Sequence, residues 1–293
     1  MSDNIPYGGI VFMGYKINWF PGHMKKTLDE MQKNIKLCDC LIYVLDARIP
    51  ESSLNPKIDE IVSHKPILYV LNKSDLANPS KTKAFVQKFE KQGKKVLSIT
   101  SSASNAKALI STALAELLAE KIEKNKQKNV VKNFKIMVIG VPNTGKSSII
   151  NAMASKAKTV TGNKAGVTKS TQWVKVDSNF VLLDTPGTLW PRFDDQNLAL
   201  KLAYVGSIKD DVLDISELGF ELMKYLIINH ENLVISRYGD FDKDAEFIDI
   251  YDEFCRRRGF ILRGGEIDYL RAGRGFLDDF RTGRIGKITL DEI

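Results

Sequence analysis

Residues 140–147 read G-V-P-N-T-G-K-S, a pattern that can bind the phosphates of a nucleotide. A glycine-rich turn of this kind aims backbone N–H groups at phosphate oxygens, and the N-terminus of the following helix adds partial positive charge. The apolar run 134–139 and the helix-forming run 148–152 favour this interpretation over a chance glycine turn. We expect Lys146 to reach the outer phosphates and Ser147 to bind Mg²⁺. The other expected contacts of this loop are Asn143, Thr144, Gly145 and Ser148.

A second strand-end motif, D-T-P-G at 184–187, follows the apolar run 180–183. A carboxylate at this position can hold Mg²⁺ through water, so Asp184 is the expected partner of Ser147. The N–H of Gly187 can lie close to the terminal phosphate. Such a run also makes ordinary turns, but its place after a phosphate loop favours the metal role.

The third motif, N-K-S-D at 72–75, follows the buried apolar run 66–71. The Asp75 carboxylate can accept two donors from the Watson–Crick edge of guanine, and adenine offers no matching pair. The motif therefore predicts that GTP or GDP binds here. The expected base-site residues are Asn72, Lys73, Ser74, Asp75, Thr100 and Ser101.

Two weaker segments complete the prediction. Residues 98–101, S-I-T-S, have short side chains that let backbone N–H groups approach the guanine carbonyl. In 166–169, G-V-T-K, Thr168 is the candidate switch hydroxyl that closes on Mg²⁺ when the γ-phosphate is present. A solvated loop threonine is the alternative for Thr168.

Strand and helix patterns alternate through the first two thirds of the chain, which predicts an α/β fold with a mainly parallel sheet. The expected strands are 40–45, 67–71, 96–99, 135–139, 173–176 and 180–183. A helix that packs on the sheet is expected over 106–124. The residues on its apolar side are Leu109, Ile110, Ala113, Leu114, Leu117 and Leu118.

The base-reading motif precedes the phosphate loop. The five motifs of a GTPase, numbered G1 to G5, therefore run in the order G4 (72–75), G5 (98–101), G1 (140–147), G2 (166–169) and G3 (184–187). This order predicts a circularly permuted P-loop GTPase domain, in which the lysine-rich stretch 120–132 joins the original ends. From about residue 194 onward helical patterns dominate, which predicts a small all-α domain. We expect an N-terminal extension over 1–14, the G domain over 15–192 and the helical domain over 193–293.

The motifs resemble those of the circularly permuted GTPases of the YlqF/YawG group, of the ribosome biogenesis GTPase A type. The resemblance covers nearly the whole chain. It includes W-F-P-G-H-M at 19–24, L-D-A-R-I-P at 45–50, the three motifs above and W-P at 190–191. It implies a GTPase that acts late in assembly of the large ribosomal subunit and binds ribosomal RNA and ribosomal proteins on the subunit precursor.

The resemblance leaves two other functions to be weighed against assembly: a nucleotide-gated RNA-binding platform, and a GTPase acting on tRNA or in stress signalling. We expect a cytoplasmic monomer with no membrane and no DNA partner.

Catalysis departs from the commonest GTPase pattern, because Thr188 stands where many GTPases carry a water-orienting glutamine. Two residues could compensate. His23 matches a histidine linked to hydrolysis in the family, the alternative being a surface histidine at a helix start. Asn143 resembles the asparagine of potassium-activated GTPases and is a candidate K⁺ ligand, the alternative being an ordinary turn residue. Stimulation by potassium and by the large subunit is therefore expected.

The composition agrees with a polyanionic partner, since the 293 residues carry a net charge of +7. Arginines and aromatic residues interleave near the C-terminus and suit RNA contact, although acidic residues among them also fit a merely solvated face. These residues are Arg256, Arg257, Arg258, Arg263, Arg271, Arg274, Arg281, Arg284 and Lys287, with Phe260, Tyr269, Phe276 and Phe280. The three cysteines are too few for a metal site and are expected to be buried and reduced.

Overall fold

The computed structural model describes residues 17, 23–62, 64–130, 132–154, 172–176, 179–189 and 195–293. The chain forms two compact units. The sheet unit comprises Phe20–Pro191, Val205–Lys209 and Gly286–Ile293, and the helical unit comprises Met1–Trp19, Arg192–Tyr204 and Asp210–Ile285. The prediction placed a single boundary between residues 192 and 193. It therefore did not include the return of Val205–Lys209 and Gly286–Ile293 to the sheet unit.

Within the described residues, six strands form one sheet in the order β3-β2-β1-β4-β6-β5. All neighbours are parallel except β5 and β6, which are antiparallel. The strands are β1 (Cys40–Asp46), β2 (Ile67–Asn72), β3 (Lys95–Ser98), β4 (Phe134–Ile139), β5 (Gln172–Lys175) and β6 (Phe180–Asp184). The predicted α/β class and all six expected strands are confirmed.

Helices cover the sheet because its central strands are apolar on both faces. Every residue of β1 is buried, and alternate residues point to different faces: Ile42 and Val44 belong to one core cluster, Tyr43 and Leu45 to another. The helices of this unit are α1 (His23–Ile35), α2 (Pro56–Val62), α3 (Pro79–Lys91), α4 (Ala106–Leu117), α5 (Ala119–Gln127) and α6 (Lys146–Met153).

The helix expected over 106–124 is two helices, α4 and α5, which meet at Leu118. Ile110, Ala113 and Leu114 are buried as expected, but Leu109 is 39% exposed. The prediction for Leu109 was wrong because the buried stripe of α4 is narrow, and Leu109 falls at its edge.

The helical unit contains α7 (Gln196–Tyr204), a short 3₁₀ helix (Asp210–Val212), α8 (Ile215–Tyr238), α9 (Phe247–Arg257) and α10 (Tyr269–Arg281). Helices α8 and α10 cross closely, since a Cβ added to Gly219 would lie 2.3 Å from the Cα of Gly273. Two of the aromatic residues that were candidates for RNA contact are core residues: Phe276 is 1% exposed and Phe280 is 2% exposed. Both lie on the apolar face of the amphipathic α10, so packing occupies their rings.

The segment 286–293 returns to the sheet unit and packs beside the ends of β1 and β2. Its backbone N–H groups bond to the carbonyls of Leu76 and Arg48, from Ile288 at 3.1 Å and from Leu290 at 2.7 Å. The Asp291 carboxylate accepts the backbone N–H groups of Glu51 at 2.8 Å and Ser52 at 2.9 Å. These bonds attach the end of the chain to the loop that follows β1.

None of the helices in the described part of the chain is long and apolar enough to cross a membrane. Cys38, Cys40 and Cys255 are buried free thiols.

Candidate functional site

The phosphate loop connects β4 to α6 and requires glycine at two positions. Gly140 has φ of 145° and lies so close to β1 that a Cβ there would be 2.3 Å from the Val44 carbonyl oxygen. Gly145 has φ of 93°, and its Cβ would meet the Asn72 side-chain nitrogen at 2.2 Å. Both the backbone conformation and the close contacts therefore exclude a side chain. This is the strand, glycine turn and helix that the sequence predicted.

Lys146 opens α6 and is 6% exposed. Its ammonium donates to the Val141 carbonyl of the phosphate loop at 2.9 Å. It therefore lies inside the loop that would surround a bound phosphate. Burial lowers the pKa of Lys146 to about 8, although the nearby Asp184 carboxylate opposes this shift. A phosphate in this loop would add negative charge beside the ammonium, which the Asp184 carboxylate alone does not compensate for its burial.

Ser147 and Asp184 lie together as expected, with the serine hydroxyl donating to Asp184 Oδ2 at 3.3 Å. Asp184 Oδ1 is buried and has no hydrogen-bond partner within the described residues. Burial also raises the pKa of Asp184. The positive charge and hydrogen bonds around the carboxylate therefore do not fully offset the loss of water around its charged form. An orphaned carboxylate oxygen next to a serine hydroxyl fits a divalent cation. These two residues would hold Mg²⁺, which neutralises phosphate charge when bound.

The segment after β6 lies directly on the phosphate loop. A Cβ on Gly187 would be 2.6 Å from the Pro142 Cα and 2.8 Å from the Lys146 ammonium, so glycine is needed for this approach. The backbone N–H of Thr188 donates to the Gly140 carbonyl at 3.4 Å, and Asn55 donates to the Thr188 carbonyl at 3.0 Å. The Thr188 hydroxyl is buried without a partner among the described residues.

The base-reading motif is hydrogen-bonded to both neighbouring loops. The Asn72 amide donates to the Thr144 carbonyl at 2.9 Å and accepts from the Ser101 N–H at 3.0 Å. The Thr100 hydroxyl donates to Asp75 Oδ1 at 3.0 Å and lies 3.2 Å from the Ser74 hydroxyl. Asp75 remains exposed, so its carboxylate is accessible to a base.

Asn143 and the adjacent loop residue are fixed by the segment 205–209. The Asn143 amide nitrogen donates to the Val205 carbonyl at 3.0 Å, and the Ser207 hydroxyl donates to the Pro142 carbonyl at 2.8 Å. Nothing in the local sequence around Val205 indicated this role, because the contact joins residues about sixty positions apart in the chain.

Asp46 and Arg48 are site residues whose role the sequence reasoning missed. They form a buried ion pair at the end of β1, and Asp46 also contacts the Lys73 ammonium at 3.0 Å. An Asp-x-Arg sequence after an apolar strand, next to the strand that carries the base-reading motif, was the available signal.

Two expected site residues are not described at the level of their side chains. Thr168 lies in 155–171, outside the described residues, and His23 begins α1 without a described side chain. Ser148 is half-buried in the first turn of α6. The catalytic roles of Thr168 and His23 stay predictions.

A phosphate loop after β4, a carboxylate at the end of β6 and an N-K-x-D motif at the end of β2 define a P-loop GTPase domain with permuted motif order. The sequence profile of the family described as "50S ribosome-binding GTPase" matches residues 135–232. The chain is 38% identical to the ribosome biogenesis GTPase A of Priestia megaterium over 94% of this chain and 96% of that protein. It therefore belongs to the ribosome biogenesis GTPase A family, and the resemblance seen in its motifs is confirmed.

Two less similar proteins are also matched over most of both chains. The chain is 34% identical to the mitochondrial ribosome-associated GTPase 1 of Bos taurus, over 93% of this chain and 88% of that protein. Among solved structures, GNP-bound YlqF from T. maritima has a TM-score of 0.64 at 25% identity, covering 91% of this chain and 98% of that one. The likeness thus extends over both units.

Proposed function

We propose that this protein hydrolyses GTP to GDP and phosphate during a late step of large ribosomal subunit assembly. In this proposal its GTP form docks on the subunit precursor, contacts ribosomal RNA and ribosomal proteins, and is released after hydrolysis. The observation that supports the proposal best is the hydrogen bonding of the base-reading motif to the phosphate loop through Asn72, in a chain whose relatives are named for ribosome biogenesis.

Each site residue has a defined task in this proposal. Asp75 selects guanine, Lys146 stabilises charge on the outer phosphates, and Ser147 with Asp184 binds Mg²⁺. Gly187 presents its N–H to the γ-phosphate, and Thr168 closes over the metal in the GTP form.

Hydrolysis is expected to be slow in the isolated protein. Thr188 has no amide that could orient the attacking water, and its hydroxyl is buried. His23 would position or deprotonate that water. The carbonyl oxygen of the Asn143 side chain would contribute to a K⁺ site, whose positive charge stabilises the transition state.

The candidate RNA-binding surface of the helical unit is narrower than the sequence suggested. The Arg281 guanidinium bonds to the Asp210 carboxylate at 2.8 Å. It also donates to the backbone carbonyls of Ala203 and Tyr204, so these contacts within the helical unit occupy its N–H groups. Arg263 and Arg274 are exposed, and guanidinium groups of this kind suit phosphate contact. We assign these two residues to the docking surface.

The test is GTP hydrolysis measured alone, with large subunits and with small subunits, in potassium and in sodium buffer. The proposal predicts strong stimulation by large subunits only, and faster turnover in potassium. Equal rates with and without large subunits would contradict the assembly GTPase. They would favour a nucleotide-gated RNA-binding platform instead. The absence of glutamine at position 188 does not by itself separate these two functions, because it predicts dependence on a partner in both.

A further inference from the structure

Asp46 occupies the end of β1, between the two strands that carry the nucleotide motifs. On one side β1 pairs with β2, and Asp46 is in register with Asn72 of the base-reading motif. On the other side β1 pairs with β4, which leads into the phosphate loop. The Asp46 carboxylate is fully buried. A buried charge at this position needs partners, and its partners show what it could do.

The first partner is Arg48. Its guanidinium binds Asp46 in a bidentate manner, with Nε at 2.9 Å from Oδ1 and Nη2 at 2.8 Å from Oδ2. The Arg48 backbone N–H adds a third bond to Oδ1 at 3.1 Å. Because Arg48 is itself only 1% exposed, the carboxylate and the guanidinium are held in a fixed arrangement.

The second partner is Lys73, the lysine of the base-reading motif. Its ammonium lies 3.0 Å from Asp46 Oδ2 and donates a hydrogen bond to the backbone carbonyl of Asn143 in the phosphate loop. Lys73 and Asn143 both have φ of 59°, which is uncommon for residues with a side chain. The ammonium thus joins the end of β1 to the phosphate loop. We call Asp46, Arg48 and Lys73 the Asp46 cluster.

The two positive charges of the Asp46 cluster keep the Asp46 carboxyl group ionised. Burial alone would raise the pKa of its carboxyl, but Arg48 and Lys73 together hold that pKa well below its ordinary value. The carboxylate is therefore charged throughout the physiological pH range. It gives the Lys73 ammonium a fixed anionic partner before any nucleotide is present.

We infer that Asp46 is a positioning residue for nucleotide binding, which acts through Lys73. It holds the lysine across the gap between the base-reading loop and the phosphate loop, so that both are in place when a guanine nucleotide arrives. Arg48 completes the arrangement by fixing the carboxylate. The inference rests on the proposed guanine-nucleotide site.

The test is a double-mutant cycle read out as GDP affinity, measured by titration calorimetry. Asp46→Asn in the otherwise unchanged protein is expected to weaken GDP binding about tenfold, the usual effect of losing a charged hydrogen bond. In a Lys73→Met background, the same substitution is expected to change affinity less than about twofold, because the group on which it acts is absent. A general loss of structure would not depend on Lys73 in this way.

Asp39→Asn is the matched control. Asp39 precedes the same strand at its opposite end, where its carboxylate bonds to Lys132 at 2.8 Å and to the Lys135 N–H at 3.0 Å. It is expected to leave GDP affinity unchanged.

Asp46→Asn leaves the Arg48 guanidinium buried without its carboxylate, and this could prevent folding. In that case Asp46→Asn is made in an Arg48→Met background and compared with Arg48→Met alone. The carboxylate and guanidinium charges are then both gone from the double variant, and the expected loss of affinity is again about tenfold.

The inference is overturned if Asp46→Asn leaves GDP affinity unchanged, or if it weakens binding by the same factor with and without Lys73. Binding of GDP by the unaltered protein is the reference for both results. If the unaltered protein bound no GDP, the proposed nucleotide site itself would fail, which is a different outcome from the loss of the Asp46 effect alone.

Discussion

Lys146 is buried beside the position expected for phosphate, and this makes nucleotide affinity depend on pH. Without nucleotide its pKa is lowered to about 8, mainly by burial. Phosphate would raise that pKa again by supplying an opposite charge. Above about pH 8 the free protein has lost this proton, so binding must take one up and becomes weaker as pH rises.

We predict that GDP affinity falls between about pH 7 and pH 9, approaching tenfold per pH unit at the upper end. Calorimetry in buffers of different ionisation enthalpy should detect the uptake of up to one proton. Lys146→Arg, whose side chain stays charged, should abolish the uptake at this position. Constant affinity with no proton uptake would show that Lys146 does not meet phosphate.

Asp75 is the residue assigned to base selection. Its carboxylate accepts from the Thr100 hydroxyl and remains exposed, so it has acceptor capacity left for guanine. Asp75→Asn replaces an acceptor with a donor and should cost about 1 to 3 kcal/mol of GDP binding, with a gain in affinity for xanthosine diphosphate. Competition binding with both diphosphates measures the shift. An unchanged preference for guanine would remove Asp75 from the base site.

Which of these residues the sequence could predict depends on how local their chemistry is. Lys146, Ser147 and Asp75 stand in short motifs with a fixed relation to a strand end, so their types and spacing were enough. The Asp46 cluster joins the end of β1 to the base-reading motif, and Lys73 of this cluster contacts Asn143 in the phosphate loop. Only the folded chain brings Asp46, Lys73 and Asn143 together. Thr188 was recognised as a departure, but its hydrogen bond to Gly140 depends on the folded loop.

Among the elements, the crossing of α8 and α10 fixes the helical unit. A methyl group on Gly219 would meet the backbone of Gly273, which cannot move aside as a side chain can. Gly219→Ala should therefore lower the stability of this unit by about 1 to 3 kcal/mol despite the better helix propensity of alanine. Thermal unfolding followed by circular dichroism measures the loss.

Gly275→Ala on α10 is the control for this crossing. Its added methyl would meet the far end of the Phe260 ring, a side chain that can turn away, so the loss should be smaller. Equal destabilisation by the two substitutions would show that the Gly219 contact is not special.

The segment 286–293 is the second element with a testable role. Asp291 is buried and accepts two backbone N–H groups, from Glu51 and Ser52, together with the Ser52 hydroxyl. Asp291→Ala leaves these donors unsatisfied and should lower the free energy of unfolding of the sheet unit by about 1 to 3 kcal/mol. Denaturant titration checks this value. Glu292→Ala, at a largely exposed side chain, should have little effect, and an equal loss from both would contradict the assigned contact.

Strands were the easiest elements to predict, because β1, β2 and β4 are short apolar runs that end at a motif residue. Helix faces were harder. Leu109 and Phe276 each lie in an amphipathic pattern, but which face is buried depends on the neighbouring helices and strands. The segment 286–293 has no periodicity of its own, so its return to the sheet unit could not be read from its sequence.

For the molecule as a whole, the permuted order gives the D-T-P-G motif at 184–187 an unusual continuation. From Leu189 the chain runs through residues 190–195 into α7 of the helical unit, rather than into another strand of the sheet. The following segment returns to the sheet unit, where Val205 and Ser207 bond to the phosphate loop. Changes at the γ-phosphate therefore have short covalent routes to the unit that carries Arg263 and Arg274.

Binding of this protein to purified large subunits, compared in a non-hydrolysable GTP analogue and in GDP, tests nucleotide-controlled docking most directly. Co-sedimentation at fixed salt, with small subunits as the control, gives the two affinities. We predict at least about tenfold tighter binding to large subunits in the GTP form, which corresponds to a coupling free energy of about 1.4 kcal/mol. Equal affinity in the two nucleotide states would contradict the proposal that GTP controls docking.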